Sequence, residues 1–239
     1  MSDRVVLVPT YNEAENISEL HAALRRAVDF DLVFIDDSSP DGTADVAREI
    51  ASRDPGVSLL LRPGKEGLGK AYSEGFRRVA SAGSWKRVFM MDADLSHDPD
   101  RLPEMDAALD SCDLCIGSRY IRGVSVTNWS IARLNLSFAA NRYIRLATGM
   151  PFSDCTSGYR GFRSDLMPLV LSSRIRASGY AFLVEMLYRI WSAGRKVSEI
   201  PIVFSERKHG ASKISARVIG ESFLTPLKLG LSGRRPRRG

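Results

Sequence analysis

The sequence predicts an α/β fold, a mainly parallel sheet with helices on both faces, and three observations predict it. Short apolar, β-branched runs alternate with amphipathic helical windows through the first half of the 239 residues. Strict alternation of this kind builds parallel strands joined by crossover helices. The apolar runs read as buried strands, and the unusual residues gather just beyond their carboxyl ends, where open α/β sheets bind ligands.

Taken in order, strands are expected at 4–8, 31–37, 57–62, 87–94 and 113–120, with helices near 13–28, 42–52, 68–81 and 100–110 between them. Asn12 with Glu15 three residues on reads as a capping box for the first helix. The second half changes character. Residues 129–147 form an amphipathic window carrying Arg133, Arg142 and Arg145, followed by a Gly/Pro break at 149–151. A strand at 158–162, helices at 164–171 and 180–193, a strand at 197–207 and a one-sided apolar window at 214–231 complete the chain. This half is expected to handle a second, less nucleotide-like substrate.

A composition of 44% hydrophobic and 26% charged residues is that of an ordinary globular protein. The formal charge of +6 and pI near 9.4 point to an anionic partner: nucleic acid, phospholipid or nucleotide. Only Arg234, Arg235, Arg237 and Arg238 form a basic block. Three cysteines (Cys112, Cys115 and Cys155) argue against a disulfide framework and for a reducing compartment. With three histidines and no second cysteine pair, Cys112 and Cys115 are expected to pack against a strand rather than to hold zinc. No secretory leader is expected, because the amino terminus runs straight into a strand. No stretch of 18 apolar residues is present to span a membrane, although lying on one stays open.

The most informative segment is RVFMMDAD at 87–94, an apolar run that stops on Asp92 and Asp94. Two carboxylates held that close repel unless a cation sits between them, and a divalent ion bridging a diphosphate is one reason to hold them so. A pair of solvated turn acids is the alternative. At the first strand end, Tyr11 is suited to stack on a base and Glu13 to accept hydrogen bonds from ribose or base. At the second, Asp37 is a candidate for the same contacts, whereas Asp41 and Thr43 are explained by turn and cap chemistry. Residues 64–71 (GKEGLGKA) nearly spell a phosphate-binding P-loop, but Ala71 replaces the hydroxyl that would hold magnesium. A P-loop-like nucleotidase is therefore the rival from another class, and a binding-only module is the third reading.

The ordered set VPTYNE (8–13), DDSSPDGT (36–43), GLGKAY (67–72), MDADLSHDP (91–99), GSRY (117–120) and SERKHGASK (205–213) resembles family 2 glycosyltransferases. Within that family it is similar to the polyprenyl-phosphate mannosyltransferases, in a peripheral form without transmembrane helices. The resemblance implies a nucleotide-diphosphosugar (GT-A, Rossmann-like) fold over 1–213, with a nucleotide-sugar half at 1–120 and an acceptor half at 121–213. Residues 214–239 would be an amphipathic helix and basic tail. It implies that Pro9, Tyr11, Glu13, Ile35 and Asp37 hold the nucleoside. Asp92, Ala93 and Asp94 would hold the diphosphate and an Mg2+ or Mn2+ ion, with Ser96 at a further metal-ligand position. Arg119, Arg207 and Lys213 would meet the donor. Arg119, Arg133 and Ser137 would receive the acceptor's phosphate, with Asp94, Arg119 and Arg133 carrying catalysis.

The activity implied is inverting transfer of mannose from GDP-mannose to polyprenyl phosphate at the cytoplasmic face of a membrane. A membrane anchor subunit is a possible partner, and no nucleic acid is expected. UDP-glucose or a UDP-N-acetylhexosamine is the alternative donor. Processive members of the family use a Q-x-x-R-W element, and this chain contains no glutamine.

Overall fold

The computed structural model describes residues 2–171, 180–205 and 216–232. Its elements are β1 (Arg4–Thr10), α1 (Ala14–Ala27), β2 (Asp31–Asp36), α2 (Thr43–Arg53), β3 (Val57–Leu61), α3 (Leu68–Ala82), β4 (Arg87–Met90), α4 (Leu102–Ala108) and β5 (Leu114–Ser118). They continue with α5 (Ile131–Thr148), β6 (Arg160–Arg163), α6 (Met167–Leu171), α7 (Tyr180–Ser192), β7 (Val197–Pro201) and α8 (Ala216–Leu231). Short 3-10 turns at Pro99–Arg101 and Ser164–Leu166 lead into α4 and α6.

All seven strands join one sheet in the order β3-β2-β1-β4-β6-β5-β7. The pairs β1–β2, β2–β3, β1–β4 and β5–β7 are parallel. Only β6 runs the other way, antiparallel to both β4 and β5. From β1 the chain moves outward through β2 and β3, then returns to β4 on the opposite side of β1. That reversal opens a crevice beyond the carboxyl ends of β1 and β4.

Strand periodicity distributes the core between the two faces. Val5, Leu7, Val33, Ile35, Val88 and Met90 pack toward Tyr72, Phe76 and Val79 of α3, together with residues of α6 and α7. The alternating Val6, Val8, Leu32, Phe34 and Phe89 pack toward Ile17, Leu20 and Leu24 of α1, Ala47 of α2 and Leu102 and Met105 of α4. Each large side chain removed from water in these layers contributes about 1.5–3 kcal/mol. Cys112 and Cys115 are buried thiols; the Cys112 Sγ lies 3.0 Å from Ser198 Oγ, so both serve packing as expected.

Two local expectations need correction. The fourth strand stops at Met90, and Asp92 and Asp94 stand on the loop beyond it. The backbone there leaves the pleat: the Asp92 amide donates to the His97 ring at 3.0 Å, and Leu95 adopts φ +60°. The first helix is not held by an Asn12–Glu15 box. Asn12 has φ +56°, and the first helical amide, Ala14, donates to Asp41 Oδ2 at 3.1 Å, with Glu13 N donating to Thr43 Oγ1 at 2.9 Å. A cap drawn from 27 residues away ties the β1 and β2 rims together. The last strand is also shorter than 197–207: it ends at Pro201, and among the described residues beyond it Phe204 alone bridges, to Val126. Among the described residues no helix is long and apolar enough to cross a membrane.

Gly161 is where β6 passes Phe89: a Cβ there would lie 2.7 and 2.8 Å from ring carbons of that fully buried side chain. Gly161→Ala is expected to cost about 1–3 kcal/mol of stability by overpacking, read from the midpoint of urea denaturation. An unshifted midpoint would show that the ring has room to yield.

Candidate active site

At the β1 rim, Pro9 and Tyr11 are half-buried, and the Lys65 ammonium sits 4.2 Å from the centre of the Tyr11 ring. The Glu13 carboxylate accepts from the Asn16 amide at 2.7 Å. One strand over, Asp37 is 6% exposed and forms an ion pair with Arg62, a guanidinium fully buried at the end of β3. Glu66 and Glu74 each approach Arg62 at 3.1 Å. Burial pushes the Asp37 carboxyl above the ordinary range, with the Arg62 bond and charge opposing it. Ile35 differs from expectation: it is 0% exposed and its side chain belongs to the core beside α3, so only its backbone belongs to the rim. The near P-loop at 64–71 follows the edge strand β3, and Lys70 is bound to Glu66 at 2.6 Å.

The loop after β4 presents the two acids differently. Asp92 keeps 40% of its side chain exposed, while Asp94 is 7% exposed and accepts from Ser96 N at 3.2 Å. Ala93 between them is buried. The Ser96 hydroxyl is buried and finds no hydrogen-bond partner among the described residues. His97 lies beneath the acids, stacked on Tyr159 at 4.8 Å. Its Nδ1 accepts the Asp92 amide, which leaves the proton on Nε2, 3.9 Å from Asp92 Oδ2. Burial lowers its pKa, Asp92 and Asp94 opposing, and its role is to hold the loop in shape.

Beyond β5, Arg119 is 7% exposed and grips Asp154 in two parallel bonds, Nε to Oδ2 at 2.6 Å and Nη2 to Oδ1 at 2.7 Å. Nη2 also reaches Thr156 Oγ1 at 2.8 Å. Asp154 is fully buried; burial works to raise its pKa, but the Arg119 bonds and charge outweigh it and the value is lowered. Glu199 of β7 accepts the amides of Ser153 and Asp154 at 2.8 and 2.9 Å. Arg160 of β6, also fully buried, donates to the carbonyls of Ser157, Leu183 and Cys155 at 2.9, 2.7 and 3.0 Å, and burial lowers its pKa to about 10. Residues 153–160 are thus clamped from both flanking strands.

Helix α5 supplies the remaining wall. Ser130 caps it by accepting from Arg133 N at 3.3 Å. The Arg133 guanidinium lies 4.2 Å from the Trp129 ring centre, and Ser137 Oγ accepts from the Tyr120 hydroxyl at 2.6 Å. Asp92, Asp94, Arg119, Arg133 and Ser137 all line one cavity of about 260 Å³, with Trp129 among its walls. Tyr11, Glu13 and Asp37 stand apart from this cavity, on the rims of β1 and β2. Arg207 and Lys213 lie outside the described residues. Sequence reasoning missed Asp154, Arg160 and Glu199, which sit in unremarkable stretches, and Arg62, which reads as the solvated end of a strand.

A mainly parallel sheet with its order reversed at a strand end carrying paired carboxylates matches the GT-A fold of nucleotide-sugar transferases, and the sequence matches the same class. The chain belongs to glycosyl transferase family 2, whose family profile matches residues 5–168. The undecaprenyl-phosphate mannosyltransferase of Micrococcus luteus is 39% identical over 231 residues, 96% of this chain and 95% of that protein. The polyprenol monophosphomannose synthase of Mycolicibacterium smegmatis is 39% identical over 233 residues, 96% of this chain and 88% of that protein. A dolichol-phosphate mannosyltransferase of Pyrococcus furiosus is 34% identical over 90% of this chain and 60% of its own length. Among solved structures, glucosyl-3-phosphoglycerate synthase from Mycobacterium tuberculosis, in complex with Mn2+, UDP and glucosyl-3-phosphoglycerate, superposes with a TM-score of 0.64. It is 19% identical and matches 99% of this chain and 81% of its own. That likeness is one of fold.

The Arg119–Asp154 pair supports a stability test. An aspartate whose folded value lies below its unfolded value stabilises at pH above the unfolded value, and the contribution fades as pH falls through the folded one. Asp154→Asn, which keeps the shape and removes the charge, is expected to lose about 3–5 kcal/mol at neutral pH. The gap from the wild type in urea denaturation should close below the ordinary aspartate value of about 3.9. Equal stability at neutral pH would contradict this account.

Proposed function

We propose that the protein is an inverting mannosyltransferase that moves mannose from GDP-mannose to polyprenyl phosphate, giving polyprenyl phosphate β-mannose. The observation that carries the reading is the single cavity shared by Asp92 and Asp94 with Arg119 and Arg133. Carboxylates suit a cation-bridged diphosphate, and arginines suit a second, unbridged phosphate. Relatives named as mannosyltransferases of polyprenyl and undecaprenyl phosphate, matched over nearly their whole lengths, support the choice of sugar and acceptor.

The residues fit a divalent ion, Mg2+ or Mn2+, held by Asp92 and Asp94 with Ser96. An unpartnered buried hydroxyl costs about 1–3 kcal/mol unless something satisfies it, and the Ser96 Oγ is such an atom beside the two acids. Among the described residues no third histidine, cysteine or acid completes a protein-only metal cluster, which leaves positions for phosphate oxygens and water. When bound, the ion supplies stabilisation of the negative charge that grows on the departing diphosphate.

The chain's own groups do the rest. Tyr11 and Lys65, with Glu13 and Asp37, receive the nucleoside at the β1 and β2 rims, and Arg62 holds the Asp37 carboxylate in place. Arg119, Arg133 and Ser137 orient the acceptor's phosphate. A phosphate monoester has a second pKa near 6, so near neutral pH it is largely ionised and nucleophilic without help. No general base is then required, which accords with His97 being neutral, buried and committed to the Asp92 amide. One displacement at an α-linked anomeric carbon, through an oxocarbenium-like state, yields the β product. Arg207 and Lys213 are assigned to the donor diphosphate on the family's motif alone.

Incubation with Mn2+, labelled GDP-mannose and polyprenyl phosphate should place label in the lipid phase, chelation should abolish it, and Asp94→Ala should lower the rate by at least about 100-fold. Transfer from UDP-sugars only would overturn the donor. ATP hydrolysis without sugar transfer would favour the P-loop reading.

A lipid acceptor needs contact with a membrane surface. Ile131, Phe138 and Leu146 are 77%, 40% and 75% exposed and, seven and eight residues apart, share one face of α5 with the exposed Arg142 and Arg145. Helix α8 packs beside it, Tyr143 stacking on Phe223 at 4.7 Å, and adds Leu224 and Leu231 at 53% and 87% exposure. We read this basic, apolar surface as the face that lies on the cytoplasmic leaflet, with or without an anchor subunit. The double variant Ile131→Asp/Leu146→Asp should sediment with anionic vesicles at least about tenfold less than the wild type. Undiminished sedimentation would assign membrane contact to another surface.

A further inference from the structure

Two arginines placed to meet a phosphate repel each other, and something must set the distance between them. Trp129 stands within reach of both, while the rings of Tyr120 and Phe204 also meet Arg119, at 5.3 and 5.5 Å. The Trp129 ring centre lies 4.2 Å from the Arg133 guanidinium and 5.5 Å from that of Arg119. An indole offers a negative π-face to both cations. Arg119 is already fixed from behind by Asp154 and Thr156.

The indole is itself firmly placed. Phe204 meets it edge-on at 5.5 Å, and the chain before it is tied to Phe204 by Thr127 N to Phe204 O and Phe204 N to Ser125 O, each 2.9 Å. Asn128 immediately before it has φ +62°, a left-handed conformation held at a cost, and Ser130 immediately after it caps α5. Yet the Trp129 Nε1 proton donor, closed off from solvent, has no hydrogen-bond partner among the described residues. An indole N–H only donates, so the partner that would satisfy it must carry an acceptor atom and cannot be a metal ion. Asp92 and Asp94 in the same cavity disfavour a bare anion near themselves, which leaves the arginine end for it.

We propose that Trp129 is an acceptor-binding residue: its ring spaces Arg119 and Arg133 into a two-guanidinium cradle, and its Nε1–H donates to an oxygen of the phosphate monoester that the cradle holds. Naming that monoester as the acceptor's head group rests on the transferase reading above; the cradle does not.

The test uses the full chain, with farnesyl phosphate as a short-chain isoprenyl monophosphate and GDP with Mn2+ as the donor-side probe, each followed by titration calorimetry. Trp129→Phe, which keeps a smaller ring and loses the N–H, is expected to weaken farnesyl phosphate about tenfold, equivalent to about 1.4 kcal/mol. Trp129→Leu is expected to weaken it about a further tenfold, with GDP affinity within about twofold of the wild type for both. Farnesyl phosphate binding to Trp129→Phe as to the wild type, or a loss of GDP affinity as large as that of farnesyl phosphate, overturns the proposal.

A measurement on the wild type covers the case in which the variants do not fold. Of the three indole N–H resonances, that of Trp129 should move on adding farnesyl phosphate, with Trp85→Phe and Trp191→Phe identifying it by elimination. A stationary Trp129 signal overturns the proposal. A moving signal in a protein that transfers no sugar to polyprenyl phosphate upholds the cradle and overturns the transferase reading alone.

Discussion

The Arg119 end of this site depends on one buried ion pair. Arg119 is nearly sealed from water, and a guanidinium in that position is tolerable only because Asp154, wholly buried, meets it with two parallel bonds. Asp154 in turn is held through its own amide by Glu199, and the segment that follows it is pinned by Arg160 through the carbonyls of Cys155 and Ser157, a third bond tying Arg160 to Leu183 of α7. A chain of charged groups therefore crosses β7, the 153–158 segment and β6 before it reaches the cleft. The single antiparallel strand is what makes this possible, since β6 delivers Arg160 from between β4 and β5 to a point directly behind the acidic loop. The cleft can present positive charge at a fixed place because the protein has already absorbed the desolvation of that charge elsewhere.

The rims of β1, β2 and β4 are held by a different means, backbone conformations that side chains rarely adopt. Asn12, Ser38 and Leu95 follow β1, β2 and β4 with φ of +56°, +54° and +60°. None is glycine, and such residues cost of order 1–3 kcal/mol each unless their surroundings over-determine them. The surroundings do so through bonds between rims: Asn12 N to Ser39 Oγ, the Ser38 hydroxyl to Arg62 O, and Asp92 N to the His97 ring. Strand ends that would otherwise fray are thereby locked before any ligand arrives.

Much of this was legible in the sequence, and what was not shares one cause. Alternating apolar runs and helical windows identify the elements and put Asp92 and Asp94 at a strand end, a local property; Arg119, Arg133 and Ser137 are expected at the cleft from the family resemblance, and all five line one cavity. The order of strands is not local: a run such as RGFR at 160–163 says strand but not which neighbours it takes or in which direction. The partners of Arg119, Arg62 and the first amides of α1 lie 35, 25 and 27 residues away, and no short pattern links them. Asn12 and Glu15 satisfied a local rule that a longer-range cap displaced. Ile35 sits next to two rim acids in sequence, but the pleat turns its side chain into the core.

Helix α5 has two working faces. One carries Arg133 and Ser137 into the cavity, and the other exposes Ile131, Phe138 and Leu146. A helix with its side chains is about 10–12 Å across, so the exposed apolar face and the cavity stand one helix diameter apart, set by rigid backbone. On the membrane-surface reading proposed above, that fixed separation would set how far a head group must stand above the hydrocarbon, however many isoprene units lie below it.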